Sequence, residues 1–514
     1  MQQAPISSSM AALARGEHQR ADALMTPVVS QEIGNWIGGT ERPAAAGGWF
    51  EKLSPHDGRA LWRAARSDVA DVAGAVDAAR AAQPGWAAVP PVQRGHALHQ
   101  LCNALETQQA YIASVVAQET GKSHKEALGE TGGAVALGRF YAGEGQRLYG
   151  RTNTSGTVNK YAMTVRQPCG VAGLIIAANT PIANVAWKVF PALICGNGVV
   201  LKAAEDTPAT AWLFAAIAAA GNHLPPGVLN VVQGIGNEAG RALVEHPGVD
   251  VLSFTGSTAV GAWIGEVAGR TLKKVSLELG GKNPFVVCDD ADLDQAVKWA
   301  CLSAFSNAGQ RCASGSRIIV FDAIADAFIG RMVSAAEALK LGPDDDDDLG
   351  SVINERQLDN MLASVERARA AGARLLAGGH RMTGPEHVAG CYLKPTLLDN
   401  VDPDAEISTC ELFGPVATIY RVGDYAEALA LANRSPYGLT ACIHSRNFDR
   451  AMHFVHHVHA GVAVVNAGTY GSEPHMPFGG VKRSGNGSRE PGVEALDIYS
   501  DLKDIYINVE PNRL

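Results

Sequence analysis

The chain has 514 residues, a net charge of −9, 46 % hydrophobic and 18 % charged residues, and at about 100–200 residues per domain it holds two to four domains. This composition supports a large core and excludes a wholly disordered chain. The acidic balance, with no basic face, excludes nucleic acid as a partner. No apolar run reaches the roughly 18 residues a membrane helix needs; the longest, from Ala211 to Gly221, is followed by Pro225 and Pro226. Residues 1–29 read as a flexible extension without a signal-peptide pattern, and Glu17 and Asp22 spoil any organelle-targeting reading of Arg15 and Arg20. The nine cysteines are odd in number and irregularly spaced, which points to reduced thiols in a cytoplasm. No CxxC or HExxH spacing occurs, so no metal site is expected.

In chain order, the pattern is helical from Asp68 to Ala88, where Val69, Val72, Val76 and Ala79 repeat at helical steps, with Pro84 and Gly85 as the stop. A second helical stretch carries Leu98, Leu101, Leu105, Ile112 and Val116. From there the rhythm changes. Val171–Ala177 is a short buried strand, followed by the turn Asn179-Thr180-Pro181 and an apolar helix through Trp187. Strands follow at Gly198–Lys202, Val228–Val232, Asp250–Phe254 and Val275–Leu279, with a helix over Pro208–Ala219. A second alternating region places strands at Pro284–Cys288, Arg317–Phe321, Thr418–Val422, Thr440–His444 and Gly461–Asn466. Strand–helix alternation with β-branched, buried strands predicts α/β architecture, with doubly wound parallel sheets. Tyr161–Gln167 and Asp501–Val509 alternate with no helix beside them and read as edge strands that need a partner. The run Asp344–Asp348 reads as a solvated loop. His453, His456, His457 and His459 read as a surface cluster.

Seven segments carry chemistry: Ala178-Asn179-Thr180-Pro181, Lys202-Ala203-Ala204-Glu205, Phe254-Thr255-Gly256-Ser257, Glu278-Leu279-Gly280-Gly281-Lys282-Asn283-Pro284, Asn307-Ala308-Gly309-Gln310-Arg311-Cys312, Glu411-Leu412-Phe413-Gly414-Pro415 and Pro477-Phe478-Gly479-Gly480. The first four lie at carboxyl ends of strands, where open α/β sheets bind ligands. Taken alone, Cys312 follows a turn and not an apolar strand, unlike a packing cysteine, and Arg311 beside it favours the reactive thiolate. Glu278 ends an apolar strand, where a carboxylate is either paired with a Lys or raised in pKa and fit to activate water. Asn179 is either a turn residue or an amide donor for a developing alkoxide.

In this order and register the segments resemble the aldehyde dehydrogenase superfamily, in its NAD(P)-dependent, acid-forming, non-CoA-acylating branch, over about residues 30–510. The resemblance implies Cys312 as nucleophile, Glu278 as base, and Asn179 with the Cys312 backbone N–H as oxyanion donors. Ala178 and Thr180 depart from the commoner aromatic flanks and imply a less aromatic substrate entrance. Lys202 and Glu205 match the pair that holds the adenosine ribose, and a Glu there implies NAD over NADP. Ser257, with Gly256, sits at a helix start that suits a pyrophosphate or, equally, a plain N-cap. Gly234 and Gly236 fit the adenine-side turn, Leu279 follows the base, and Glu411 and Phe413 match the residues at the nicotinamide ribose and ring.

The implied organisation is a flexible extension (1–29), an NAD-binding domain (30–146 and 168–279), a catalytic domain (280–485) and a small β oligomerisation element (147–167 and 486–514). A homodimer or homotetramer is expected, with a small aldehyde as substrate and neither membrane nor nucleic acid as partner. Retention of Glu278 argues against the CoA-acylating alternative, and the trio of Asn179, Glu278 and Cys312 against a non-catalytic member. For the substrate, Asn179–Lys188, Arg311–Ala313 and Asn466–Met476 are the tunnel candidates, the last with Tyr470, Glu473 and His475. The stretch Met476–Gly492 is similar to members that oxidise semialdehydes such as 2-oxoglutarate semialdehyde. Arg311 or Arg166 is the candidate clamp for a distal carboxylate. An aromatic or aliphatic aldehyde is the other reading.

Overall fold

The structure is a computed structural model that describes residues 27–511. The expected extension falls almost wholly in residues 1–26, outside the described residues.

Two seven-stranded sheets organise the chain. The first uses β1 (Asn35–Ile37), β2 (Thr40–Arg42), β3 (Val171–Ile175), β4 (Gly198–Lys202), β5 (Leu229–Val232), β6 (Val251–Thr255) and β7 (Lys274–Glu278) in the order β7-β6-β3-β4-β5-β1-β2. Its five C-terminal strands pair in parallel, and β1 and β2 add an antiparallel edge. The second uses β8 (Pro284–Val287), β9 (Arg317–Phe321), β10 (Arg374–Ala377), β11 (Thr396–Asp399), β12 (Val416–Val422), β13 (Thr440–His444) and β14 (Val462–Val465) in the order β10-β11-β12-β9-β8-β13-β14. Only its β10–β11 pair is antiparallel. Runs such as Gly-Val-Val-Leu-Lys in β4 are buried along their whole length, as a sheet covered on both faces requires.

Helices flank the first sheet: α1 (Val69–Ala88), α2 (His124–Glu144), α3 (Pro181–Ile194), α4 (Pro208–Ala220) and α5 (Thr258–Thr271). Helix α1 ends at Ala88, the expected bound, but runs through Pro84-Gly85, the expected stop signal, without breaking. Its last turn is anchored by buried Trp86, whose Nε1 donates to the Leu193 carbonyl at 2.9 Å. That tertiary contact overrides the local helix-breaking signal.

The two alternating segments find each other. Lys160–Pro168 pairs antiparallel with Ser500–Asn508 over nine registered residue pairs, and Thr152–Thr154 adds a third strand. This small sheet exposes Tyr161, Leu502 and Tyr506. Among the described residues no helix is long and apolar enough to cross a membrane and no group of three or more His, Cys, Asp or Glu could hold a metal ion. All nine cysteines are free thiols.

Candidate active site

The site lies where the C-terminal ends of the first sheet face the second. Helix α3 begins at Pro181, and its N-cap Thr180 makes no side-chain capping bond. The preceding turn carries Asn179. Its Nδ2 donates to the Gln310 carbonyl at 2.9 Å, and Asn184 Nδ2 approaches its Oδ1 at 3.4 Å. An amide nitrogen has two N–H donors, so one remains beyond the Gln310 bond.

Cys312 follows a turn with an unusual backbone. Asn307, Ala308 and Gly309 take φ of 54°, 51° and 67° in succession, a left-handed run that a non-glycine residue adopts at a cost of about 1–2 kcal/mol. The run is fastened from several sides. Asn307 N–H donates to Glu126 Oε1 at 3.0 Å, and Gln310 Oε1 accepts from Ile353 N–H at 2.9 Å. A Cβ on Gly309 would lie 2.2 Å from the Gly414 carbonyl oxygen, so the loop needs glycine there for close approach as well as for φ. Downstream, Asn283 Nδ2 donates to the carbonyls of Cys312 and Ser314 at 2.7 and 2.9 Å.

Asn179, Thr180, Arg311, Cys312 and Ala313 line one cavity of about 300 Å³. A larger cavity of about 1050 Å³, walled by Arg374, Tyr420 and Arg434, contains none of the candidate residues. The chemistry singles out the smaller one. Trp187, Tyr470 and Phe478 also line it, the first and last ring-to-ring at 5.5 Å. The wall is therefore more aromatic than Ala178 and Thr180 implied, because the rings come from α3 and from the 470–478 segment.

Glu278 closes β7. It is 4 % exposed and neither carboxylate oxygen has a hydrogen-bond partner. Burial first, and the Glu490 carboxylate second, push its pKa well above the ordinary carboxylate value, against the opposing pull of Lys188 and Arg489. The Lys-paired reading does not hold: the Lys188 amine bonds Glu490 at 2.7 Å and Ser253 at 2.6 Å. Burial also pushes the Cys312 thiol up to about 12, with Glu411 and Glu278 as the next causes. Arg311 lowers the thiol as expected, but burial and the two carboxylates outweigh it. Its guanidinium lies 3.8 Å from Glu126 Oε1 and 5.2 Å from the centre of the Tyr470 ring.

The expected clamp Arg166 is not at this cavity. It pairs with Asp497 at 2.6 Å and Ser500 Oγ at 2.9 Å and borders a separate cavity with Lys274 and Asp501. Glu473 and His475 sit together at 3.5 Å, and both are exposed.

The remaining candidates line the strand ends. Lys202 ends β4, and burial lowers its amine to about 8 against the pull of Glu205 and Asp206. Glu205 Oε2 accepts from the Gly236 N–H at 2.9 Å, which fixes the carboxylate beside the Gly234–Gly236 turn. Gly234 has φ +132°. Ser257 caps α5 by accepting from Val260 N–H, and Gly256 packs on the Phe254 ring. Leu279 N–H donates to the Ser484 carbonyl at 3.0 Å. Glu411 Oε1 accepts from Gly281 N–H at 2.9 Å, and burial raises its pKa to about 7, countered by that bond and by Lys282. A Cβ on Gly280 would lie 2.3 Å from Glu411 Oε2. Phe413 holds φ +57°. Carboxylates at both ends of this row can accept from ribose hydroxyls, and the helix N-terminus between them can donate to a pyrophosphate.

Six residues in this shell were not legible in the sequence. Helix α2 supplies Glu126 and the cavity residues Glu130, Gly133, Ala136 and Leu137, and Lys122 stands just before it. Ser123 with Glu126 three residues later is a helix-start pattern; it marks the helix, but not what the helix touches.

Residues 43–505 match the model of the aldehyde dehydrogenase family. Alpha-ketoglutaric semialdehyde dehydrogenase of Bacillus subtilis (strain 168) is 38 % identical over 444 residues, 86 % of this chain and 91 % of that one. An aldehyde dehydrogenase from Bacillus cereus, solved as an NAD+ complex, superposes with a TM-score of 0.90 at 33 % identity, covering 93 % of this chain and 97 % of that one. An NADP-dependent enzyme from E. coli superposes at 0.89 with 34 % identity, covering 93 % and 98 %.

Proposed function

Because the chain belongs to the aldehyde dehydrogenase family and is an oxidoreductase that converts an aldehyde to a carboxylic acid, we propose that Cys312 is its nucleophile, Asn179 its oxyanion donor and Glu278 the base that activates water. The observation that carries this reading is a buried Glu278 carboxylate with no hydrogen-bond partner, its Oε1 against Gly479, the residue after Phe478 of the Cys312 cavity. A group in that state has a high proton affinity and nothing else to satisfy it.

Cys312 attacks the aldehyde carbon as the thiolate, its proton having passed to solvent. The new alkoxide is held by the Asn179 amide and the Cys312 backbone N–H. A bound nicotinamide dinucleotide supplies the acceptor for the hydride whose loss leaves a thioester on Cys312. Glu278 then takes a proton from water, whose oxygen adds to the thioester carbon. The thiolate leaves with the acid as product.

The family works with NAD or NADP, and we assign NAD to this chain because Glu205 would repel a 2′-phosphate. Lys202, Glu205, Gly234 and Gly236 would hold its adenosine side, Gly256 and Ser257 its pyrophosphate, and Leu279, Glu411 and Phe413 its nicotinamide side. The domain reading is retained: 30–146 with 168–279 for the dinucleotide, 280–485 for the aldehyde, and the small sheet with its exposed Tyr161, Leu502 and Tyr506 as the seat of a homodimer or homotetramer. The substrate reading is an aldehyde that bears a carboxylate. Arg311 is the cation lining the cavity, its Nε is buried without a partner, and the Bacillus subtilis relative is named for a semialdehyde. NADH formation from a panel of aldehydes, with and without coenzyme A, tests the function. Turnover that needs coenzyme A would contradict it, as would no turnover on any aldehyde.

A further inference from the structure

Asn179 sits on a turn whose own capping is missing. Helix α3 starts without a side-chain bond from its N-cap Thr180, so its first amides look for an acceptor elsewhere. They find it in another helix: Glu130 Oε1, from α2, accepts from Ile182 N–H at 3.1 Å and Ala183 N–H at 3.3 Å. The other carboxylate oxygen of Glu130 pairs with the Lys122 amine, and that amine also donates to the Asn179 carbonyl at 2.7 Å. Both side chains are nearly sealed from solvent, at 3 % and 6 % exposure. One buried ion pair therefore grips the turn on both sides of Thr180, at the carbonyl before it and at the amides after it. A second donor, Asn307 Nδ2, reaches the same Asn179 carbonyl at 3.2 Å and the Gln310 carbonyl at 3.2 Å, which ties the turn to the loop of Cys312.

The grip bears on chemistry and not only on packing. The Asn179 side-chain amide donates one of its two N–H groups to Gln310 and accepts from Asn184 Nδ2 at 3.4 Å, which leaves one N–H free. Where its free N–H points is fixed by where the Asn179 backbone is held. A donor for a developing alkoxide must stand within tenths of an ångström of its place before the charge forms. A surface pair would be too soft for this. A buried pair that loses one partner leaves the other uncompensated, so the arrangement holds as a unit.

We propose that Lys122 and Glu130 form a positioning clamp that sets the Asn179 donor for the oxyanion, a role that rests on the reading of Asn179 given above. Glu130 also borders the cavity of Cys312, but in this role both residues act through the turn.

The test is a double-mutant cycle read by the pre-steady-state rate of NADH formation. Asn179→Ala should slow that rate by about 10²-fold or more, as loss of an oxyanion donor does. Lys122→Met should slow it at least ~10-fold, a part of that donor's effect, and Lys122→Arg should recover some of the loss. In the Asn179→Ala background Lys122→Met should cost little more, because there is no donor left to position. NADH affinity and the alkylation rate of Cys312 should stay near wild type in Lys122→Met, which a general loosening of the site would not allow. The same cycle run from Glu130→Gln, nearly isosteric, answers the question if Lys122→Met does not fold. A normal rate in both Lys122→Met and Glu130→Gln would overturn the clamp. So would a loss from either of them that simply multiplies with Asn179→Ala. A normal rate in Asn179→Ala itself would instead overturn the oxyanion reading on which the clamp rests.

Discussion

Gly281 and the nucleophile loop are in direct backbone contact: a Cβ on Gly281 would lie 2.2 Å from the Cys312 carbonyl oxygen. The same carbonyl is held by Asn283 Nδ2. The segment Glu278-Leu279-Gly280-Gly281-Lys282-Asn283 thus carries the candidate base and at the same time seats the candidate nucleophile. It also opens room for Glu411 at Gly280.

Gly281→Ala should therefore displace the Cys312 backbone and with it one proposed oxyanion donor. The neighbour is backbone, so it cannot swing aside. The steady rate should fall at least ~10²-fold, the scale of a lost donor, while the protein still folds. Circular dichroism together with NADH formation checks this. A folded variant with near-normal turnover would refute the seating.

Glu205→Gln keeps the shape of the side chain and its acceptor for Gly236, but removes the charge. Wild type should favour NAD in kcat/KM. The variant should narrow the gap by about tenfold, roughly 1.4 kcal/mol, and less at high salt. A wild-type preference for NADP would contradict the assignment.

Glu411 is raised from its ordinary value to about 7 by burial. The folded state then holds this proton where the unfolded state has released it, so its contribution is fully present below about pH 4.5 and is lost as pH rises through about 7. Glu411→Gln has no such proton. The melting temperature of wild type relative to this variant should accordingly fall between pH 4.5 and 7 and level off above. A flat difference across that window would show that Glu411 is not raised.

Arg311→Gln tests the substrate reading. A charge-assisted bond to a carboxylate contributes about 1.5–3 kcal/mol, so kcat/KM for glutarate semialdehyde should fall roughly 10- to 100-fold more than that for pentanal. Equal losses on both aldehydes would assign Arg311 to the loop and not to the substrate.

Most of the parallel strands were legible because they are short, largely apolar runs, as in Val199-Val200-Leu201-Lys202; Thr396–Asp399, parallel to its neighbour β12, was not. The strands of two to six residues between 32 and 65 were not, since too few residues alternate to form a pattern. Tyr161–Gln167 and Asp501–Val509 showed in the sequence that each lacked a partner, but not that they pair with each other across more than 300 residues. The trio at the site stood out from its local surroundings. The thiol's surroundings did not: Arg311 is its neighbour in sequence, yet Glu411, about a hundred residues on, bears on it more strongly. Lys122 and Glu130 escaped notice for a similar reason. Helix α2 carries Gly129, Gly132 and Gly133, which blur its pattern in the sequence, and its partners lie on a turn some fifty residues away.

The account stands or falls on a covalent acyl group at Cys312 that waits for Glu278. Glu278→Gln removes the proposed hydrolytic base at nearly constant shape, so hydride loss should still occur and the thioester should accumulate. The decisive measurement is acid-quenched peptide mass spectrometry of Glu278→Gln after mixing with NAD and aldehyde. The account predicts close to one acyl group per chain, on the peptide that contains Cys312, with none on Cys301 or the other thiols. An acyl group on a different cysteine, or none on Cys312 while NADH is formed, would contradict it.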